Sequence, residues 1–302
     1  MNTRTTHTNL PTIEQLLDWA RDLIAAYRPV LQFLCVRLEE CAQNDELMET
    51  AGELFVATGQ TTESIMILIA HGLIGDATAL FRSLLEGTAR FCHLLSAPSS
   101  EEEQNRLHEF EEVLGDFEMA KLSKWVSALK NGALYKNDET DAYLRHIESD
   151  VKEALSNKSD VAGAVMSKWS FKKLSEQLRN ECPEWKNMAD LWEFRYATAN
   201  FSVHKSAHSL LPDLLSWDRR LGPGNLLVQV WGPSLLSFCV MLVHTRIAVF
   251  MRRLGIMSTI LRDVMAEYRS FARLATAMEL EARKRCEKQD QYNGPSTEEP
   301  GK

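Results

Sequence analysis

Two apolar stretches of this chain hold polar side chains at helical spacing, and they are where chemistry could sit. The first, Ala77 to Leu95, carries Arg82, Glu86, Arg90 and His93, at spacings of four, four and three. The second, Leu191 to Leu210, carries Arg195, Tyr196, Asn200, Ser202, His204 and His208; Tyr196, Asn200, His204 and His208 recur every four residues. Residues spaced by three and four share one helix face. Polar groups held among apolar ones must be paired, or they cost free energy. The favoured reading is an interhelical hydrogen-bond network that is structural or lines a pocket. In it Arg82 and Glu86 form the first half, and Tyr196, Asn200, Ser202, His208 and Arg90 are binding residues around them. The two polar stripes are expected to face each other.

Other chemistries have less support. His204 and His208 have the i, i+4 spacing of a helical metal pair, but Lys205 stands where a zinc protease helix has Glu. No Glu-x-x-His occurs, so a di-metal carboxylate site lacks its ligands. Neither a metal nor a cofactor is expected. Phosphate-binding and nucleophile-elbow motifs are absent, and Gly-Pro-Gly-Asn at 222–225 reads as a turn. The glutamates between Glu101 and Glu112 read as the solvated face of one helix. The cations Arg219, Arg220, Arg246, Arg252, Arg253 and Arg262 read as solvated too.

The elements that must position these residues are helices. The 302 residues are 45% hydrophobic and 25% charged, and the 14 Gly and 9 Pro mostly fall between long periodic runs. Few breakers and long periodicity argue for an all-α fold, a single bundle of roughly eight to ten helices. Thr12-Ile-Glu-Gln15 is a capping box opening a helix that kinks or restarts at Pro29. Further helices are predicted near 45–71, 76–95, from Ser99 or Ser100 to 130, 139–155, 171–179, from Pro183 through the second polar stretch, 233–254 and 259–288. The segment 156–170 reads as a loop, and the most apolar helices, near 46–71, 76–95 and 233–254, as the centre. Residues 1–11 read as a flexible start, 12–288 as the helical domain and 289–302 as a disordered tail.

The formal charge of −8 disfavours non-specific nucleic-acid binding. Six scattered cysteines without Cys-x-x-Cys, and an N-terminus without an apolar signal core, point to a reducing cytoplasm. The apolar run Leu226 to Phe250 is interrupted by Gln229, His244 and Arg246 and reads as a core helix, so no membrane partner is expected.

The run ALFRSLLEGTARFCHLL, then Trp169, then Tyr196-x-x-x-Asn200-x-Ser202-x-His204, resembles a bacterial family catalogued as domain of unknown function 5677. The resemblance covers roughly residues 45–250, with Asn200 where a Ser is common. It implies an all-helical fold and no assigned activity. A looser similarity points to HEPN-type helical nucleases, although Arg195 and His204 stand farther apart than the local motif of that group. By that analogy His204 would be general acid or base on a ribose hydroxyl, Arg82 would stabilise the phosphorane charge and Glu86 would hold Arg82. The preferred expectation is an interaction or small-ligand module whose partner is a protein, a small molecule or a second copy of the chain. A metal-independent ribonuclease in a toxin or phage-defence setting, acting on RNA, is the alternative.

Overall fold

The structure, a computed structural model, describes residues 10–42, 45–115, 145–147, 149, 162–186, 189–203 and 226–292. Among these residues there is no strand; the elements are all helical, as the sparse Gly and Pro imply. Helix α1 spans Ile13–Ala25 behind the capping box: Thr12 Oγ1 accepts from the Gln15 amide at 3.3 Å and Gln15 Oε1 from the Thr12 amide at 2.9 Å. The chain restarts at α2, Arg28–Ala42, with Pro29 in the first turn, where its missing N–H costs nothing. Asp45 caps α3, Glu46–Ala70. That helix ends in a Schellman motif: Leu73 N–H reaches Leu68 O at 2.8 Å and Gly72 N–H reaches Ile69 O at 3.0 Å. Gly72 sits there at φ 78°, where a side chain would be strained. Helix α4, Ile74–Leu95, follows at once.

Beyond the break at Pro98, α5 spans Ser100–His108 and runs into a π-helical segment, Glu109–Leu114. The remaining helices are α6 Ala162–Lys168, α7 Phe171–Glu181, α8 Pro183–Lys186, α9 Ala189–Val203, α10 Leu226–Arg253 and α11 Thr259–Tyr292. Several boundaries correct the expectations. Residues 156–170 are not all loop, since α6 lies there. Pro233 falls inside α10 rather than in its first turn, because the helix begins at Leu226. Val228 and Val230 are buried, so packing holds the segment before the proline. The last helix continues past 288 to Tyr292. The first nine residues, most of 139–155 and the stretch after 292 lie outside the described residues.

Helices α4 and α10 are the hubs. Helix α4 packs against α3, α5, α7, α9 and α10, and α10 also packs against α1, α3, α8 and α11. Phe81, Leu84, Leu85, Phe91, Cys239 and Phe250 are all buried between them and their neighbours. The close pairing of α3 with α4 needs Gly87, where an added Cβ would stand 2.7 Å from Thr58 Cγ2. Part of α10, Val228–Arg253, is long and apolar enough to cross a membrane, but 83% of its most apolar window is buried inside the fold. In this fold it is the core helix its interruptions suggested. The flank of α4 turned to α7 and α9 is the one that carries the first polar stripe.

Candidate functional site

Of the second stripe, Tyr196 meets the first at Glu86. Its Oε1 accepts from Arg82 Nε at 3.1 Å, one turn back on α4, and from the Tyr196 hydroxyl on α9 at 2.6 Å. The Arg82 guanidinium lies 5.3 Å from the centroid of the Tyr196 ring. Phe171, at the start of α7, stacks on that ring at 4.2 Å with an interplanar angle of 14°. The i, i+4 step on α4 pairs Arg82 with Glu86 locally, and the α4–α9 packing brings in the phenol. Burial, then the hydrogen bond to Glu86 and its charge, raise the Tyr196 phenol above its usual range. Burial works against the charge on Arg82, but Tyr196 and Glu86 outweigh it and raise the guanidinium further. Tyr196 is therefore held as a neutral donor and Arg82 as a cation.

Arg90 stands one turn further along α4. It makes no hydrogen bond or ion pair among the described residues, and it borders a cleft of about 160 Å³. The cleft is also bordered by Glu86, Trp169, Ser170, Phe171 and Tyr196, so three aromatic rings face an uncommitted cation and an already saturated carboxylate oxygen. Asn200 and Ser202 lie on the α9 backbone, but their side chains are outside the described residues, as are His204 and His208 altogether. The composite of Arg82 with His204 thus falls outside what is described. Among the described residues, no group of three His, Cys, Asp or Glu could hold a metal ion.

Not every residue of the two stretches joins this site. Arg195 precedes Tyr196 but turns to α10 and α11. Its Nη2 donates to Ser234 Oγ at 3.0 Å and lies 3.6 Å from Glu279, with the guanidinium 5.2 Å from the Phe238 ring. Burial lowers its pKa, with Glu279 opposing and Arg283 adding to the effect. His93 likewise leaves the Arg82–Glu86–Arg90 line. It is fully buried, packed edge-on to Trp169 at 5.0 Å, with no hydrogen-bond partner on either ring nitrogen among the described residues. Burial, with Arg106 and Lys168 nearby, pushes its pKa down to about 3.

A second network lies beside the cleft and escaped the sequence reading. Arg106, on α5, is buried. Its Nε donates to Glu102 at 2.9 Å, Nη1 to the His93 carbonyl at 2.6 Å, and both Nη atoms clamp Glu181 at 3.0 and 2.9 Å. Trp169 Nε1 donates to Glu109 Oε2 at 2.8 Å, and Lys168 Nζ to Glu109 Oε1 at 3.0 Å. The expected solvated face of Glu101 to Glu112 is therefore wrong for Glu102 and Glu109, which turn inward to buried or half-buried donors. The Glu102-x-x-x-Arg106 step was a visible signal; the pairing with Glu181 had none. The solvated-cation expectation also fails in part. Arg246 is buried, and the half-buried Arg253 forks onto Glu103, whereas Arg252 is exposed as expected, with Glu184 at 2.7 Å. Arg262 is exposed as expected, and Arg219 and Arg220 are outside the described residues.

Comparison with known proteins bears on the same region. The chain matches a family of unknown function, DUF5677, over residues 49–220, from α3 through α9 and beyond, including Arg82, Glu86, Trp169 and Tyr196. The match stops before α10, short of the expected limit near 250. No curated protein and no solved structure matches the chain. The HEPN analogy has no support among these matches. The all-helical fold, the order of the Arg-x-x-x-Glu, Trp and Tyr segments, and a match over more than half its length place this chain in the family of unknown function DUF5677.

Proposed function

We propose that the chain is a small-ligand or interaction module and that the cleft between α4, α7 and α9 is where it binds. One observation carries this reading: Arg90, which has no ion pair among the described residues, brings a cation to a cleft walled by Trp169, Phe171 and Tyr196. Its neighbour Glu86 is already occupied by Arg82 and Tyr196. A guanidinium facing aromatic walls suits a flat anion, such as an aromatic carboxylate or the acidic side chain of a partner protein. The Arg82–Glu86–Tyr196 network then serves to hold the wall in place. The free thiols of Cys35, Cys92, Cys182 and Cys239 support a reducing, cytoplasmic setting for this activity.

Benzoate is the test ligand. It is expected to raise the melting temperature of the wild type, while Arg90→Met, which removes no hydrogen bond or ion pair among the described residues, loses the shift at unchanged baseline stability. Equal shifts in both proteins, or none in either, would sink the proposal.

A further inference from the structure

A second cleft lies between α1, the start of α2, α3 and α10. Its volume is about 420 Å³, within the range of small-molecule sites. Its walls are largely apolar: Ile24, Leu31, Phe55, Met66, Ile67 and Val243. Arg246 also borders it, and its side chain is buried. Its Nη1 donates to Thr88 Oγ1 at 3.1 Å and its Nη2 to Thr62 Oγ1 at 3.3 Å; both partners are neutral hydroxyls. Its Nε has no partner, and no carboxylate pairs with it among the described residues. A buried guanidinium without a counter-charge is costly, and proteins keep such groups paired or use them on ligands.

The rim adds to this polarity. Arg28 has no ion pair among the described residues, and Arg21 holds Asp18 at 3.4 Å. Among the described residues Glu63 is the one acidic residue bordering the cleft, and it is exposed, whereas Arg246 is not. The innermost charge is thus positive and set among hydrocarbon.

We infer that this cleft binds an aliphatic carboxylate, its chain lying against Phe55, Met66 and Val243 and its carboxylate accepting from Arg246. The site is separate from the Arg90 cleft. Three of its walls, α1, α2 and α10, lie outside the stretch shared with the family, so it is a property of this chain beyond that match.

Titration calorimetry of the full chain with decanoate and with decanol tests it. Decanoate is expected to bind one to one and about tenfold or more tighter than the neutral alcohol, the size of a charge-assisted hydrogen bond. Arg246→Met should erase that preference. Gly59 borders the same cleft, and a Cβ there meets nothing within 4 Å. Gly59→Trp should therefore block both ligands without disturbing the fold, and it decides the matter even where Arg246→Met does not fold. Equal affinity for acid and alcohol, no binding of either, or undiminished binding by Gly59→Trp overturns the inference. So does concentration-dependent dimerisation without decanoate uptake, which would make a second copy the occupant.

Discussion

Lowering the pH should destabilise the fold through His93 before the carboxylates reach their titration midpoints. In the folded chain His93 is buried beside the Arg106 guanidinium, and its pKa is pushed down to about 3. The nearest carboxylate, Glu181, is 3.9 Å from Nδ1, but Arg106 already clamps both of its oxygens. An imidazolium would therefore gain little and would face a cation. In the unfolded chain the ring titrates at its ordinary value of 6.5. Between these values the unfolded state binds a proton that the folded state refuses. Stability is then complete well above 6.5 and falls as the pH drops. From about pH 7 to about pH 5 the loss is about 2 kcal/mol for this one residue. His244 is pushed down to about 4, mainly by burial, and contributes a parallel loss of about 2 kcal/mol over the same interval. Glu102, whose pKa is lowered by its hydrogen bond to Arg106, adds its own loss only below its unfolded value of 4.5. The histidines thus dominate the loss above pH 5. His93→Leu removes the titration and orphans no hydrogen bond, since neither ring nitrogen has a partner among the described residues. Urea unfolding of both proteins at the two pH values should show the variant losing about half as much stability as the wild type. An equal loss in both, or a His93 resonance titrating near 6.5 in the folded protein, refutes the reasoning.

Three further outcomes follow from the contacts. Arg106→Ala leaves the Glu181 carboxylate without its clamp and Glu102 with only Lys168, 3.9 Å away, and should cost about 3 kcal/mol in denaturant unfolding. A double-mutant cycle on Arg82→Ala and Tyr196→Phe should show a coupling of about 0.5 kcal/mol or more, because both donors converge on one Glu86 oxygen; additivity would mean the network does not act as a unit. Gly87→Ala drives a Cβ to 2.7 Å from Thr58 Cγ2 and should cost about 1–3 kcal/mol, with Thr58→Ala in the same chain restoring most of it in thermal melts.

What could be read from sequence was local. The capping box at Thr12 and the Arg82-x-x-x-Glu86 step are each made by residues within a turn or two. Their geometry follows from the helix itself. The facing of Glu86 by Tyr196 could be anticipated, since two polar stripes inside apolar helices have few partners besides each other. Glu102 and Glu109 were misread because a run of glutamates looks the same whether it meets water or a buried arginine. The π segment after His108 carried no mark in the sequence. Arg246 was misread for the related reason that its helix also carries exposed and half-exposed arginines, and spacing alone does not say which of them faces the core.

By itself the sequence determined the helical class, the starts and stops of most helices and the polar stripe on α4, because hydrogen bonds in a helix are local and its amphipathic period is short. Only the tertiary structure decided which charges are buried. It set Arg106 on Glu181, brought Arg90 to a cleft lined by aromatic rings and closed Arg246 in with two threonines. Burial of a charge depends on which helices pack over it, and in this chain those helices are separated by tens to hundreds of residues.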